Sequence, residues 1–287
     1  MTVTEVALAT SIPPSLALGA SPEGARRAVW AASCLASWPG GGWRVLSLNP
    51  EAELPLLPAL PAGVVAAPAG PGVAEAYGRP GAWIAEALAG AVATGAEVVG
   101  LVNADIRLDL DPAARAAIAA RAREGMLAFN RMELAHPAQQ DGAFYRYGYD
   151  LVLMPRAMAA RLDLAGFAFG VPWWDYWILL DALTQGLPAS VVWCPGVRHL
   201  AHAQAWRMGA WRRGLALIAA RLPGRRDALA ALGAGPVALA LADLLAALGG
   251  DAPEGIGLAE IIERAGTRFG LEIVRLAERD AWSLDGP

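Results

Sequence analysis

The sequence predicts an α/β protein, a mainly parallel central sheet flanked by helices and followed by a C-terminal helical extension. Three observations carry that expectation. Short apolar runs closed by polar residues alternate with helical patterns through most of the chain. One of them, Val98-Val99-Gly100-Leu101-Val102, is apolar throughout and stops at Asn103-Ala104-Asp105, as a strand buried on both faces does. From Trp206 onward the pattern is helical and rich in Ala and Leu, with breaks at Pro223-Gly224 and from Gly249 to Pro253. The expected division is therefore 1–207 for the α/β part and 208–287 for the extension.

In chain order, Glu5 to Thr10 is a strand candidate stopped by Ser11-Ile12-Pro13-Pro14. Ser21-Pro22-Glu23 reads as an N-cap, a proline at the first helical position and an acid in the first turn. That helix ends at Pro39-Gly40. Trp43 to Leu48 is a second strand, and Val64-Val65 a third within a Pro-rich connection. A helix from about Ala82 to Thr94 leads into the Val98 run. Asp111-Pro112 starts a helix to about Glu124, and Met126 to Phe129 is a strand. Tyr147 to Met154 is another strand and Arg156 to Leu162 a short helix. Asp175 opens a helix through Leu183, and Val191 to Trp193 is a last strand before Arg198-His199-Leu200-Ala201-His202.

Composition narrows the function. All 23 basic residues are Arg, in keeping with GC-rich coding, and the net charge is −4 with a pI near 5.5. That argues against a general nucleic-acid binder, which needs a basic face. Two cysteines far apart, Cys34 and Cys194, read as reduced thiols and not as a disulfide framework. No basic segment precedes an apolar one at the N-terminus, and Ala228 to Ala242 is too short to span a bilayer, so a cytoplasmic protein is expected.

The chemistry concentrates at three places. Asn103 and Asp105 are two apart at a strand end, where both leave on one side and present oxygen ligands to a divalent ion carrying a diphosphate; a plain Asn/Asp turn is the alternative. Trp173-Trp174-Asp175-Tyr176 places an acid among aromatics that can desolvate it and stack on a sugar ring. Its alternative is a helix cap beside core tryptophans. His199 and His202, two of three histidines, share one face if helical and separate if extended; either is a candidate metal ligand.

The order Asn-Ala-Asp, then Asp175, then the His pair resembles the GT-A glycosyltransferases, the nucleotide-diphospho-sugar transferases. The resemblance runs from about Val3 to Trp206. It implies a GT-A-like, Rossmann-type sheet and a transferase moving a sugar from a nucleoside-diphosphate sugar to an acceptor hydroxyl. Asp105 matches the last Asp of the family's metal motif, while Asn103 departs from the first and brings an uncharged carbonyl. Asp105, with His199 or His202, is the implied site for Mn²⁺ or Mg²⁺, and Asp175 the implied base. With no lysine, Arg must neutralise the diphosphate. Arg79 and Arg198 are the candidates, beside Arg207, with surface charge as the alternative. Asp150 is placed near the acceptor by analogy.

Two other readings compete. One is a catalytically degenerate binding or assembly protein acting through the helical tail. The other is a nucleotidyltransferase, which lacks support from a Gly-rich phosphate loop near the first strand. Walker-type, nucleophile-elbow and Cys-x-x-Cys motifs are absent. Trp206, Trp211, Arg212 and Arg213 raise peripheral membrane contact as a further role of the tail.

Overall fold

The computed structural model describes residues 5–14, 22–202, 207–248 and 256–284; the Ser21 cap, Trp206 and the Gly249–Pro253 break lie outside them. The first half runs β1 (Val6–Thr10), α1 (Pro22–Ser37), β2 (Trp43–Asn49), β3 (Val64–Pro68), α2 (Val73–Tyr77), α3 (Ile84–Ala93), β4 (Val98–Val102) and β5 (Ile106–Leu108). Then come α4 (Pro112–Ala122), β6 (Met126–Leu134), β7 (Ala143–Tyr145), β8 (Leu151–Pro155), α5 (Arg156–Ala159), α6 (Trp174–Thr184) and β9 (Ala189–Leu200). The tail adds α7 (Met208–Arg221), α8 (Arg226–Ala231), α9 (Pro236–Leu248), α10 (Ile256–Ala277) and β10 (Trp282–Ser283).

The strand order is β10-β9-β6-β8-β4-β1-β2-β3, with β5 on β9 and β7 on β6. Parallel pairs join β3, β2, β1 and β4, and again β6, β9 and β10. Strand β8 runs antiparallel to both neighbours and divides the sheet into two parallel blocks. The protein is thus a mixed α/β sheet flanked by helices. Gly100, in the middle of β4, is required by this packing: a Cβ there would lie 2.2 Å from the Val152 carbonyl oxygen.

Three strands around the site differ in extent from the sequence reading. Strand β6 continues past Phe129 to Leu134, β8 starts at Leu151 and not at Tyr147, and β9 runs through to Leu200. The extra length comes from pairing: β9 is inserted between β5 and β6, so polar residues at its end are held as strand by ladders on both sides. Between Asn130 and Met132 the β6–β9 register shifts, around Pro195-Gly196 of β9. Such irregularities re-aim side chains beside a site.

Each face of the sheet has its own core. Residues of α1 and α4, including Trp30 and Ile118, cover one face together with Trp38, which follows α1. Residues of α3, α6 and the tail, including Leu88, Trp177, Leu215 and Phe269, cover the other. Helix α6 is buried nearly all round because it lies between the sheet and the tail. Its far end is fixed by Asp181, fully buried, which pairs with Arg225 at 2.7 Å. No described helix is long and apolar enough to cross a membrane.

Candidate metal and acid/base site

Strand β4 ends at Val102, opposite Leu151 of antiparallel β8, so Asn103 and Asp150 emerge side by side. The chain then turns, with Ile106 N–H donating to the Asn103 carbonyl at 3.2 Å, which throws the Asp105 carboxylate outward. Trp30 of α1 and Trp38 just after it hold this turn: Trp30 Nε1 donates to the Asp105 carbonyl at 2.8 Å and Trp38 Nε1 to the Ile106 carbonyl at 2.7 Å. His199 lies in β9 beside Ile106 on one side and Glu133 on the other. Ala201 N–H bonds the Leu134 carbonyl at 2.8 Å, after which the chain leaves the strand and returns His202 to the same place. The two histidines therefore meet neither through a helical face nor along an extended strand.

Three ligand atoms converge. Asp105 Oδ2 lies 3.3 Å from His199 Nε2 and 3.2 Å from His202 Nε2, and the two Nε2 atoms are 3.2 Å apart. Metal–ligand bonds of about 2.1 Å, at angles from octahedral to tetrahedral, separate ligand atoms by about 3.0–3.4 Å. The triangle fits one ion with room for further ligands on its open side.

Glu133 supports the triangle from behind. Both its oxygens are 3.1 Å from His199 Nδ1, so this nitrogen donates to Glu133 and Nε2 faces Asp105. Arg131, two residues earlier on the same side of β6, donates from Nε to Glu133 Oε1 at 2.6 Å and from Nη1 to Asp150 Oδ2. Asn103 Nδ2 donates to the other oxygen of Asp150. The Nδ2 of Asn103 thus clamps the Asp150 carboxylate.

The charges are mutually dependent. Burial alone would lower the His199 pKa, but hydrogen bonds donated to Asp105 and Glu133 raise it to about 9. Burial would raise Asp105 and Glu133, yet the histidine bonds hold Asp105 far below the usual carboxylate range and Glu133 at about 2. A triangle of two imidazole nitrogens and a carboxylate demands a cation between them, either a proton or a metal ion.

Asp175 stands in the first turn of α6, half-buried, with Tyr149 N–H donating to its Oδ2 at 3.2 Å. Its pKa is pushed up to about 7, first by burial and then by the charge of Asp150. The cap position belongs to Trp173, in the left-handed region at φ 86°, the one non-glycine there among the described residues.

Other candidates lie elsewhere. Trp173 and Trp174 are 5% and 3% exposed, and their rings are taken up by protein: Trp173 by Tyr176 and Trp211, Trp174 by Phe169. Arg79 donates to the Gly170 carbonyl at 2.9 Å and braces the loop before α6. Arg198, adjacent to His199 on a strand, points the other way and pairs with Asp109 at 3.2 Å. In the tail, Arg212 pairs with Glu263 and Arg213 stacks on Tyr77, so these groups face protein.

Arg131 and Glu133 are the two residues that sequence reasoning missed. Their signal was the alternation Arg131-Met132-Glu133-Leu134, polar and apolar by turns, which extends the strand beyond Phe129. Among the described residues, an aliphatic cavity of about 370 Å³ also opens between α1 and residues 58–61, with Ala104 on its wall.

No protein-family model and no curated protein matches the chain. Among solved structures, it is similar to a mannosyltransferase from Pyrobaculum calidifontis in complex with GDP-Man and Mn²⁺, at 15% identity and a TM-score of 0.46, over 96% of this chain and 87% of that one. It is also similar to a protein from Desulfovibrio desulfuricans assigned as a nucleotide-diphospho-sugar transferase, at 13% identity and a TM-score of 0.42, over 73% of this chain and 86% of that one. These likenesses are distant, and the site described above stands on its own geometry.

Proposed function

We propose that the protein is a metal-dependent glycosyltransferase, moving a sugar from a nucleoside-diphosphate sugar to an acceptor hydroxyl. The observation that carries the proposal is the meeting of Asp105, His199 and His202 in one triangle, whose bonded network ends at Asp150, with Asp175 held by the N–H of neighbouring Tyr149. Residues 1–207 hold this machinery in our reading, and 208–287 form an extension that supports it by packing on Trp173.

In this reading Asp105, His199 and His202 hold a divalent ion. Two imidazoles favour Mn²⁺ or a later transition metal over Mg²⁺. When bound, the ion neutralises the leaving diphosphate. Glu133, bonded to His199 Nδ1, orients the ring so that Nε2 faces the ion. Asp175 takes the proton of the acceptor hydroxyl as that oxygen bonds the anomeric carbon, and the bond from that carbon to the diphosphate oxygen breaks with its electron pair. A carboxylate with a pKa of about 7 suits this task near neutral pH. Asp150, fixed by Arg131 and Asn103, stands next to it on the acceptor side.

The test is thermal shift with Mn²⁺ and GDP or UDP, singly and together. Stabilisation should require both, and Asp105→Ala should remove it. No stabilisation of the unmodified protein by any pair would end the transferase reading. A second reading follows from the donor set alone, since two histidines and one carboxylate also suit non-haem Fe(II). Tight Fe(II) binding with oxygen uptake, and no nucleotide effect, would favour it.

A further inference from the structure

Arg131 sits where β6 shifts register against β9, and its side chain is less than a fifth exposed. Its guanidinium grips two carboxylates that serve different places. Nε holds Glu133, which lies behind His199, and Nη1 holds Asp150, whose charge acts on Asp175. The ring of Tyr145 lies 4.4 Å beneath it and fixes its plane. A planar fork serves two acceptors at fixed angles, which an ammonium group does not. Charge is shared as well: Asp105, Glu133 and Asp150 bring three carboxylates to one connected cluster, against a single guanidinium.

We propose that Arg131 is a positioning residue that couples the metal triangle to the acceptor side, so that a change at Asp150 is felt as a change in metal affinity. The inference rests on reading Asp105, His199 and His202 as metal ligands and adds a link that this reading does not require. Asp150 touches none of the three ligands by any described bond; its route to them is Arg131, Glu133 and His199.

The experiment is a double-mutant cycle on Mn²⁺ affinity, read as free Mn²⁺ by electron paramagnetic resonance. Arg131→Lys should weaken binding about tenfold or more, as loss of a residue behind a metal ligand does. Asp150→Asn should weaken it about threefold in the unmodified protein and leave it unchanged in the Arg131→Lys background. Loss of charge alone would give the same factor in both backgrounds, and that result overturns the proposal while leaving the metal site intact. So does Arg131→Lys binding Mn²⁺ as tightly as the unmodified protein. If the unmodified protein binds no Mn²⁺, the metal reading and this inference fall together. Far-UV circular dichroism identifies a variant that does not fold. A Glu133→Gln and Asp150→Asn cycle then carries the same comparison, with the same two outcomes.

Discussion

Two corners of the molecule flank Asp175 and are built in opposite ways. On the strand side, Asp105, His199, His202, Glu133, Arg131, Asp150 and Asn103 form a continuous polar network in which neighbours hold one another by charge. On the tail side, Trp173 is pressed between Tyr176, Trp211 and the backbones of α7 and α10. A Cβ at Gly214 would lie 2.8 Å from Trp173 Cδ1, so the helix accommodates the indole only because that residue is glycine. The left-handed backbone of Trp173 costs about 1–3 kcal/mol, and this packing holds it in place. The contrast teaches where chemistry and stability separate. The polar corner is held by paired charges, and the aromatic corner by close fit of shape.

Substitutions can break that contrast. The largest effect expected is on the polar side: His199→Ala should lower Mn²⁺ affinity by more than about a hundredfold with little change in thermal stability, measured by calorimetric titration. Trp173→Ala should do the reverse. It should destabilise by about 3–5 kcal/mol in denaturant unfolding and leave Mn²⁺ affinity within about twofold. Equal losses of affinity from both variants would erase the distinction.

Asp175, between the corners, gives a pH test. Its folded pKa of about 7 exceeds the unfolded value of about 3.9. The folded state therefore binds more protons in that window, and stability falls as pH rises through it. Asp175→Asn should match the unmodified protein in Tm near pH 4 and exceed it above pH 7, while abolishing transfer. A Tm difference independent of pH would remove burial as the cause of the shift.

His199 gives a second pH test. Its proton, held to about pH 9, must leave when metal binds, so apparent Mn²⁺ affinity should rise about tenfold per pH unit between pH 7 and 9. The smallest effect belongs to Arg198→Ala, whose side chain faces Asp109; Mn²⁺ affinity should not change measurably.

Much of this was legible in the chain. The apolar run from Val98 to Val102 announces a buried strand, and Asp111-Pro112 announces a helix start, realised as an Asp111 cap to Ala114 N–H at 2.7 Å. Asp105, Asp175, His199 and His202 stood out by residue type and order. Their geometry was not legible, because His202 returns to His199 only through the pairing of β9 with β5 and β6. Strands of two or three residues, such as β5 and β10, show no period of their own. The tryptophans beside Asp175 looked suited to a sugar because sequence does not show which face of an indole the tail occupies. The bond from Asn103 Nδ2 to Asp150 was not legible either, because the two residues are 47 apart.

The central claim is that two imidazoles and one carboxylate share a divalent ion. Pulsed electron paramagnetic resonance of Mn²⁺ bound to the protein tests it most directly. The account predicts nitrogen couplings from two histidines, with one lost in His199→Ala and one in His202→Ala, and a phosphorus coupling when GDP or UDP is added. A Mn²⁺ spectrum without nitrogen coupling, unchanged by either substitution, would contradict it.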